Sequence, residues 1–164
     1  MINADLSIIL LLQSYDWAIP IMKFFSSLGS LEFMLLSMPF LYWCWDAKQG
    51  FRVGLMLVTS HGLNAALKLA LHGPRPYWVD PAVQAWSTQP SFGMPSGHAQ
   101  NAVSIWGLTA YLIHKPWAIA LAAGTCLLIG LSRLYLGAHF LGDVLVGWAA
   151  GALLLGLAIG AMPF

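Results

Sequence analysis

An all-α, polytopic membrane helical bundle is the fold class this chain predicts: about five spans preceded by N-terminal interfacial helices. Hydrophobic residues make up 59% of the 164 and charged residues only 8%, against roughly 25% charged in soluble proteins. Apolar runs of near-spanning length recur along the chain, separated by turns that hold Asp46, Lys48, Asp80, Lys115 and most of its Pro. In hydrocarbon the backbone polar groups must be satisfied internally, which helices achieve. The length suits one domain over 1–164, with 1–29 interfacial or re-entrant and 30–164 as the transmembrane core. A net charge of +1 argues against nucleic acid as a partner.

Residues 3–13 (NADLSIILLLQ) are apolar but short of the roughly 20 that cross a bilayer. Residues 15–29 mix Asp16, Pro20 and Lys23 with apolar side chains. Both pieces read as helices lying in the interface or dipping into it; one distorted span is the alternative. Residues 30–45 form a short first span ending in Tyr42, Trp43 and Trp45, rings suited to the membrane surface. A polar turn over 46–50 leads to a second span at 51–71. The long loop 72–95 carries Pro74, Pro76, Pro81, Pro90 and Pro95, with Tyr77, Trp78 and Trp86 fit for the headgroup level. Three further spans run over 96–114, 116–134 and 138–160. The N-terminus lacks the basic flank and long apolar core of a cleavable signal. Cys44 and Cys126 sit in apolar runs and read as buried free thiols. In the last span Gly147 with Gly151, and Gly156 with Gly160, form two GxxxG patterns. Close packing inside the bundle is the plainer reading, and a homodimer face the sharper one.

Polar residues concentrate in three stretches: Lys68–Pro76 (KLALHGPRP), Pro95–His98 (PSGH) and Ser132–Asp143 (SRLYLGAHFLGD). An ionised group at mid-bilayer costs about 2.5–3.5 kcal/mol on insertion scales, so each such residue is a functional candidate. His139 and Asp143 are four apart, on one face if helical. A carboxylate there would hold one imidazole nitrogen and leave the other free to attack. Arg133 brings a planar fork suited to phosphate oxygens. Pro74 and Pro76 stiffen the backbone around Arg75. Pro95-Ser96-Gly97-His98 reads as a helix start, with Ser96 as cap and free N–H groups turned toward an anion.

These stretches resemble the three-part signature of the type 2 phosphatidic acid phosphatase family: K, six residues, RP; then PSGH; then SR, five residues, H, three residues, D. The resemblance covers roughly residues 60–150, and every signature position is filled. It implies a fold shared with vanadium haloperoxidases and a lipid phosphatase activity. By similarity, His139 is the nucleophile that forms a phosphohistidine, Asp143 orients it, and His98 protonates the leaving group. Lys68, Arg75, Arg133 and the Ser96–Gly97 backbone would hold the phosphate oxygens. The implied substrate is a membrane lipid phosphate or diphosphate: phosphatidate, phosphatidylglycerophosphate or a polyprenyl diphosphate. No cofactor and no metal are expected, since the cationic side chains would do a metal's work and no acidic cluster offers itself to magnesium.

Charge supports this reading. Lys68, Arg75 and Arg133 are positive and Asp143 cancels one of them. The surplus is costly beside apolar surroundings unless an anion enters, and a phosphate monoester carries about −2. Alternating spans bring the three stretches to one membrane face. Lys48, Arg52 and Lys115 fall in turns at the other face, where the one acid is Asp46. The positive-inside rule then sets the motif face outside the cytoplasm, on the periplasmic side of a bacterial inner membrane.

Two other readings compete. A lipid phosphotransferase would use the same phosphoenzyme. A non-catalytic transporter would use the cluster as an anion site, although the grouping at one face fits a conduction path poorly. Arg133 and Lys68 could also be snorkelling anchors. His61 and Asn64, a turn or two before Lys68, read as makers of interhelical hydrogen bonds. His72 reads as a solvated loop residue and His114 as an interfacial one.

Overall fold

This computed structural model describes residues 2–162, which are helical with no strand among them. In chain order come α1 (Ile2–Gln13), α2 (Ile19–Ser27), α3 (Leu31–Phe40), α4 (Ala47–Leu71), α5 (Pro76–Val79), α6 (Gly97–Asn101), α7 (Gly107–Ile113), α8 (Pro116–Tyr135) and α9 (Leu141–Ala161). Local chemistry sets many of the starts. Ser30 accepts the Phe33 N–H at 3.2 Å to open α3, and Asp46 accepts the Gln49 N–H at 2.8 Å to open α4. Ser96 accepts the Ala99 N–H to open α6. Each hydroxyl or carboxylate satisfies one of the donors that a helix start leaves unpaired. Pro116 stands at the head of α8, where its missing N–H costs nothing.

α4, α8 and α9 are long and apolar enough to cross a bilayer. The other two predicted spans are shorter and irregular. Residues 31–45 join α3 to a π turn at Leu41–Trp45, and 97–113 joins α6 to α7 through a π turn at Ala102–Trp106. The N-terminal pair is bent by 81° between Ala4–Gln13 and Asp16–Ser27, as a re-entrant or broken span would be. Cys44 is exposed in the first π turn and Cys126 is half-buried on α8, so neither thiol is the buried core residue expected.

The burial pattern is inverted relative to a soluble domain. Leu36, Val58 and Leu69 are about 70–80% exposed, at 79%, 70% and 68%. Arg75 and Arg133, each 1% exposed, are among the largest fully buried side chains. Apolar side chains therefore face lipid while charge is gathered inside. Two devices hold the helices close enough for this. At Gly147 an added Cβ would meet the Ser96 carbonyl oxygen at 2.6 Å, and at Gly151 the Gln100 carbonyl oxygen at 2.5 Å. These glycines let α9 lie directly on α6, which accounts for the first GxxxG within the bundle. A polar ladder ties α4 to α6. Ser60 donates to Asn101 Oδ1 (2.8 Å), Gln100 Nε2 to the Ser60 carbonyl (2.8 Å) and Asn64 Nδ2 to Gln100 Oε1 (2.9 Å).

Chain direction then does the rest. The C-terminal ends of α4 and α8 and the N-terminal ends of α6 and α9 meet at one end of the bundle, and the Ser96 N–H donates to the Asp143 carbonyl at 2.9 Å. All three polar stretches converge there.

Candidate active site

His139 lies in the short link between α8 and α9. The chain turns back there because Gly137 adopts φ +69°, a conformation that costs a residue with a side chain. The carbonyl of Arg133 receives the N–H groups of Ala138 (3.1 Å) and His139 (3.3 Å) and closes the turn. One helical turn later, Asp143 Oδ2 stands 3.3 Å from His139 Nδ1 and accepts the Phe140 N–H at 3.0 Å. The carboxylate therefore favours a proton on Nδ1 and leaves Nε2 with its lone pair. That Nε2 is 3.5 Å from Arg75 NH1. Burial, followed by the Arg133, Arg75 and Lys68 cations and His98, holds the His139 imidazole well below the usual histidine range. A neutral, oriented imidazole is a nucleophile ready for use.

The cations are pinned by carbonyls and serine hydroxyls rather than by acids. Arg75 donates from Nε to the Ser91 carbonyl (2.7 Å), from NH1 to the Ala138 carbonyl (2.9 Å), and from NH2 to Ser91 Oγ (3.2 Å) and the Phe92 carbonyl (3.1 Å). Lys68 Nζ donates to the carbonyls of Phe92 and Gly93. Arg133 donates to Ser26 Oγ and, at 3.2 Å, to Ser87 Oγ, while its buried Nε has no partner among the described residues. Carbonyl dipoles fix a guanidinium without cancelling its charge, so an anion still meets positive groups.

A cavity of about 190 Å3 opens among these residues, lined by Lys68, Arg75, Gly97, His98 and His139 together with Glu32. Two of the expected phosphate-binding groups are placed differently. Arg133 stands behind the wall and does not line the cavity. Ser96 is buried, its Oγ caps α6 and its N–H is given to Asp143. The amides that begin α6, those of Gly97 and His98, have no intrahelical partner. Gly97 faces Asn64, whose Oδ1 would lie 2.9 Å from an added Cβ.

Sequence reasoning missed several parts of the site. Ser26, Gly29 and Glu32 come from the motif-free N-terminal third, yet Ser26 holds Arg133, and an added Cβ at Gly29 would stand 3.3 Å from His98 Cβ. The carbonyls of Ser91 and Phe92 carry no side-chain signal. Asn64 makes the expected interhelical bond, but His61 makes no hydrogen bond among the described residues and lines the cavity instead. His72 caps α4 in the left-handed region and packs edge-on against Phe92, outside the cavity.

The profile of the PAP2 superfamily matches residues 49–164. Phosphatidylglycerophosphatase B of Bacillus subtilis (strain 168) is 32% identical over 154 residues, covering 84% of this chain and 72% of that protein. The undecaprenyl-diphosphatase of Sulfolobus acidocaldarius is 30% identical over 110 residues, 64% of this chain and 53% of that one. The crystal structure of the transmembrane PAP2 type phosphatidylglycerolphosphate phosphatase from Bacillus subtilis superposes with a TM-score of 0.83 at 30% identity, covering 96% of this chain and 84% of that chain.

Proposed function

The chain belongs to the PAP2 superfamily and is an integral membrane phosphatase of that lipid-phosphatase family; from that premise we propose that it removes a phosphate or diphosphate headgroup from a membrane lipid through a phosphohistidine on His139. The observation that carries the mechanism is the His139–Asp143 pair, 3.3 Å apart, with Nε2 directed toward the Arg75 side of the cation-lined cavity.

In this reading Nε2 of His139 attacks phosphorus while Asp143 steadies the imidazolium that forms. His98 becomes an imidazolium as the phosphate anion enters beside it, gives that proton to the leaving oxygen, and then as a neutral base takes a proton from the water that frees the phosphate from His139. Lys68, Arg75 and the Gly97 amide hold the non-bridging oxygens as charge shifts. Arg133 adds its field from behind and Ser96 positions the helix start. These cations supply the stabilisation a metal would give, so the reaction proceeds without one. A groove of about 470 Å3 shares His61, Asn64, Lys68 and Ser91 with the cavity and continues past Ala65, Leu69, Trp78 and Phe92. The lipid's hydrocarbon chain would lie there, on the flank of α4 that faces the bilayer.

We read residues 1–164 as a single phosphatase domain, with Gln13 and Ser26 of the N-terminal helices tied to the site end. The site opens on the non-cytoplasmic face, in a bacterial cell the outer face of the inner membrane, because Lys48, Arg52 and Lys115 lie at the other end. Gly147 and Gly151 are filled by α6, which leaves Gly156 and Gly160, with nothing within 4 Å among the described residues, as the stretch open to a homodimer contact.

Purified protein given phosphatidate, phosphatidylglycerophosphate and a polyprenyl diphosphate in chelator should release phosphate from at least one. A labelled, acid-labile phosphoenzyme should accumulate on quenching and be absent from His139→Ala. Activity that needs a divalent metal, or that survives His139→Ala, would overturn the mechanism.

A further inference from the structure

Among the residues that line the cavity Glu32 is the one acid, set against the cations Lys68 and Arg75. Lys68, Arg75 and His139 stand together, with Arg75 NH1 3.5 Å from His139 Nε2. The lining also includes Gly29, Leu31, Glu32 and Asn101 with His98. The Gly29 turn rests on His98, at 3.3 Å from both its Cβ and its carbonyl oxygen for an added Cβ, and Glu32 follows in the first turn of α3. Glu32 is exposed and makes no hydrogen bond or ion pair among the described residues. Arg133, tied to Ser26 and Ser87, does not line the cavity.

In-line phosphoryl transfer sets the nucleophile and the leaving group on opposite sides of phosphorus. With His139 attacking, the leaving group departs on the His98 side. For a phosphate monoester that group is an alcohol once His98 has given its proton. For a diphosphate attacked at its terminal phosphorus it is a lipid monophosphate, which brings further anionic oxygens to that side. Like charges in a partly desolvated site repel strongly enough to decide between ligands.

We propose that Glu32 is a specificity-determining residue that makes the site favour a lipid phosphate monoester over the diphosphate of the same lipid. The inference rests on the phosphatase reading above and deepens it. Glu32 also complements the positive N-terminal end of α3, but that role alone would not sort substrates by phosphate count.

The test uses the full chain in mixed micelles with one polyprenyl chain supplied as its monophosphate and as its diphosphate, following both phosphate release and the lipid product. The wild type should show the higher kcat/KM on the monophosphate. Glu32→Gln should raise kcat/KM on the diphosphate and leave the monophosphate within about twofold, shifting the ratio on the order of tenfold. Glu32→Asp should keep most of the preference. A ratio unmoved by Glu32→Gln, or a wild type that prefers the diphosphate, overturns the proposal while the phosphatase reading stands. Release from neither substrate, nor from any lipid phosphate, removes both.

Discussion

At the residue scale the decisive contact is Asp143 Oδ2 with His139 Nδ1. Asp143→Asn keeps the shape and can still accept the Phe140 N–H, but it no longer imposes one tautomer on the ring. Loss of such an orienting carboxylate costs about 10⁴-fold in the serine protease triad. A fall of at least about 10²-fold in kcat is expected here, with KM little changed, measured by phosphate release. His139 also makes stability depend on pH. Its folded-state pKa is lowered, so on acidification the unfolded chain gains a proton near pH ~6.5 before the folded chain does. Stability is therefore full above about 6.5 and declines as pH falls below it. Thermal unfolding in detergent between pH 7.5 and 5.5 should show this decline, and His139→Gln should make it shallower. Equal slopes for the two proteins would contradict the assignment. These residues could be read from the chain because their partners are near in sequence, four positions apart or at a helix end. Ser26 could not, since its partner Arg133 lies 107 residues away, and a lone serine in an apolar stretch has many bland explanations.

At the scale of elements, the α6–α9 contact fixes the geometry of the candidate active site. It sets His98 at the head of one helix against Asp143 at the head of the other. Gly151→Leu would place a side chain where even a Cβ stands 2.5 Å from the Gln100 carbonyl. Overpacking of this kind costs roughly 1–3 kcal/mol, and it would push the two helix heads apart. Both melting temperature and activity should fall together. Gly156→Leu, with nothing within 4 Å of the added carbon, should leave stability within about 0.5 kcal/mol. The spacing of the two GxxxG patterns is identical in sequence; which pair is covered depends on where α6 ends against α9. The π turns were equally hidden. They leave 31–45 and 97–113 short of plain spanning helices, and nothing in residue type along these apolar runs marks a hydrogen bond that skips one residue further.

On the scale of the whole molecule, all the catalytic candidates lie at one end, and Lys48, Arg52 and Lys115 sit toward the other. Sidedness is open to direct measurement. In a cysteine-free background, Ala85→Cys in the long loop should react with an impermeant thiol reagent applied outside bacterial cells. Lys48→Cys should react only after the inner membrane is made permeable. The reverse pattern would invert the topology. The bent N-terminal pair also takes its meaning here. Gln13 donates to the carbonyls of Gln84 (2.8 Å) and Tyr135 (3.0 Å) and accepts the Gln84 N–H at 2.9 Å. A segment without a motif thus clamps the long loop to the end of α8.

Composition and apolar runs were enough to establish a helical membrane protein and to locate its polar stretches, because solvation by lipid and helix periodicity act on each stretch locally; their chemistry was implied by their resemblance to a family signature. Folding decided how the stretches meet: Arg133 behind the wall rather than in it, Ser96 as a cap, carbonyls and hydroxyls rather than acids holding the cations, and Glu32 in the cavity. Those outcomes depend on contacts between residues tens of positions apart, and the positions of such groups follow from packing, which no local pattern of residue types encodes.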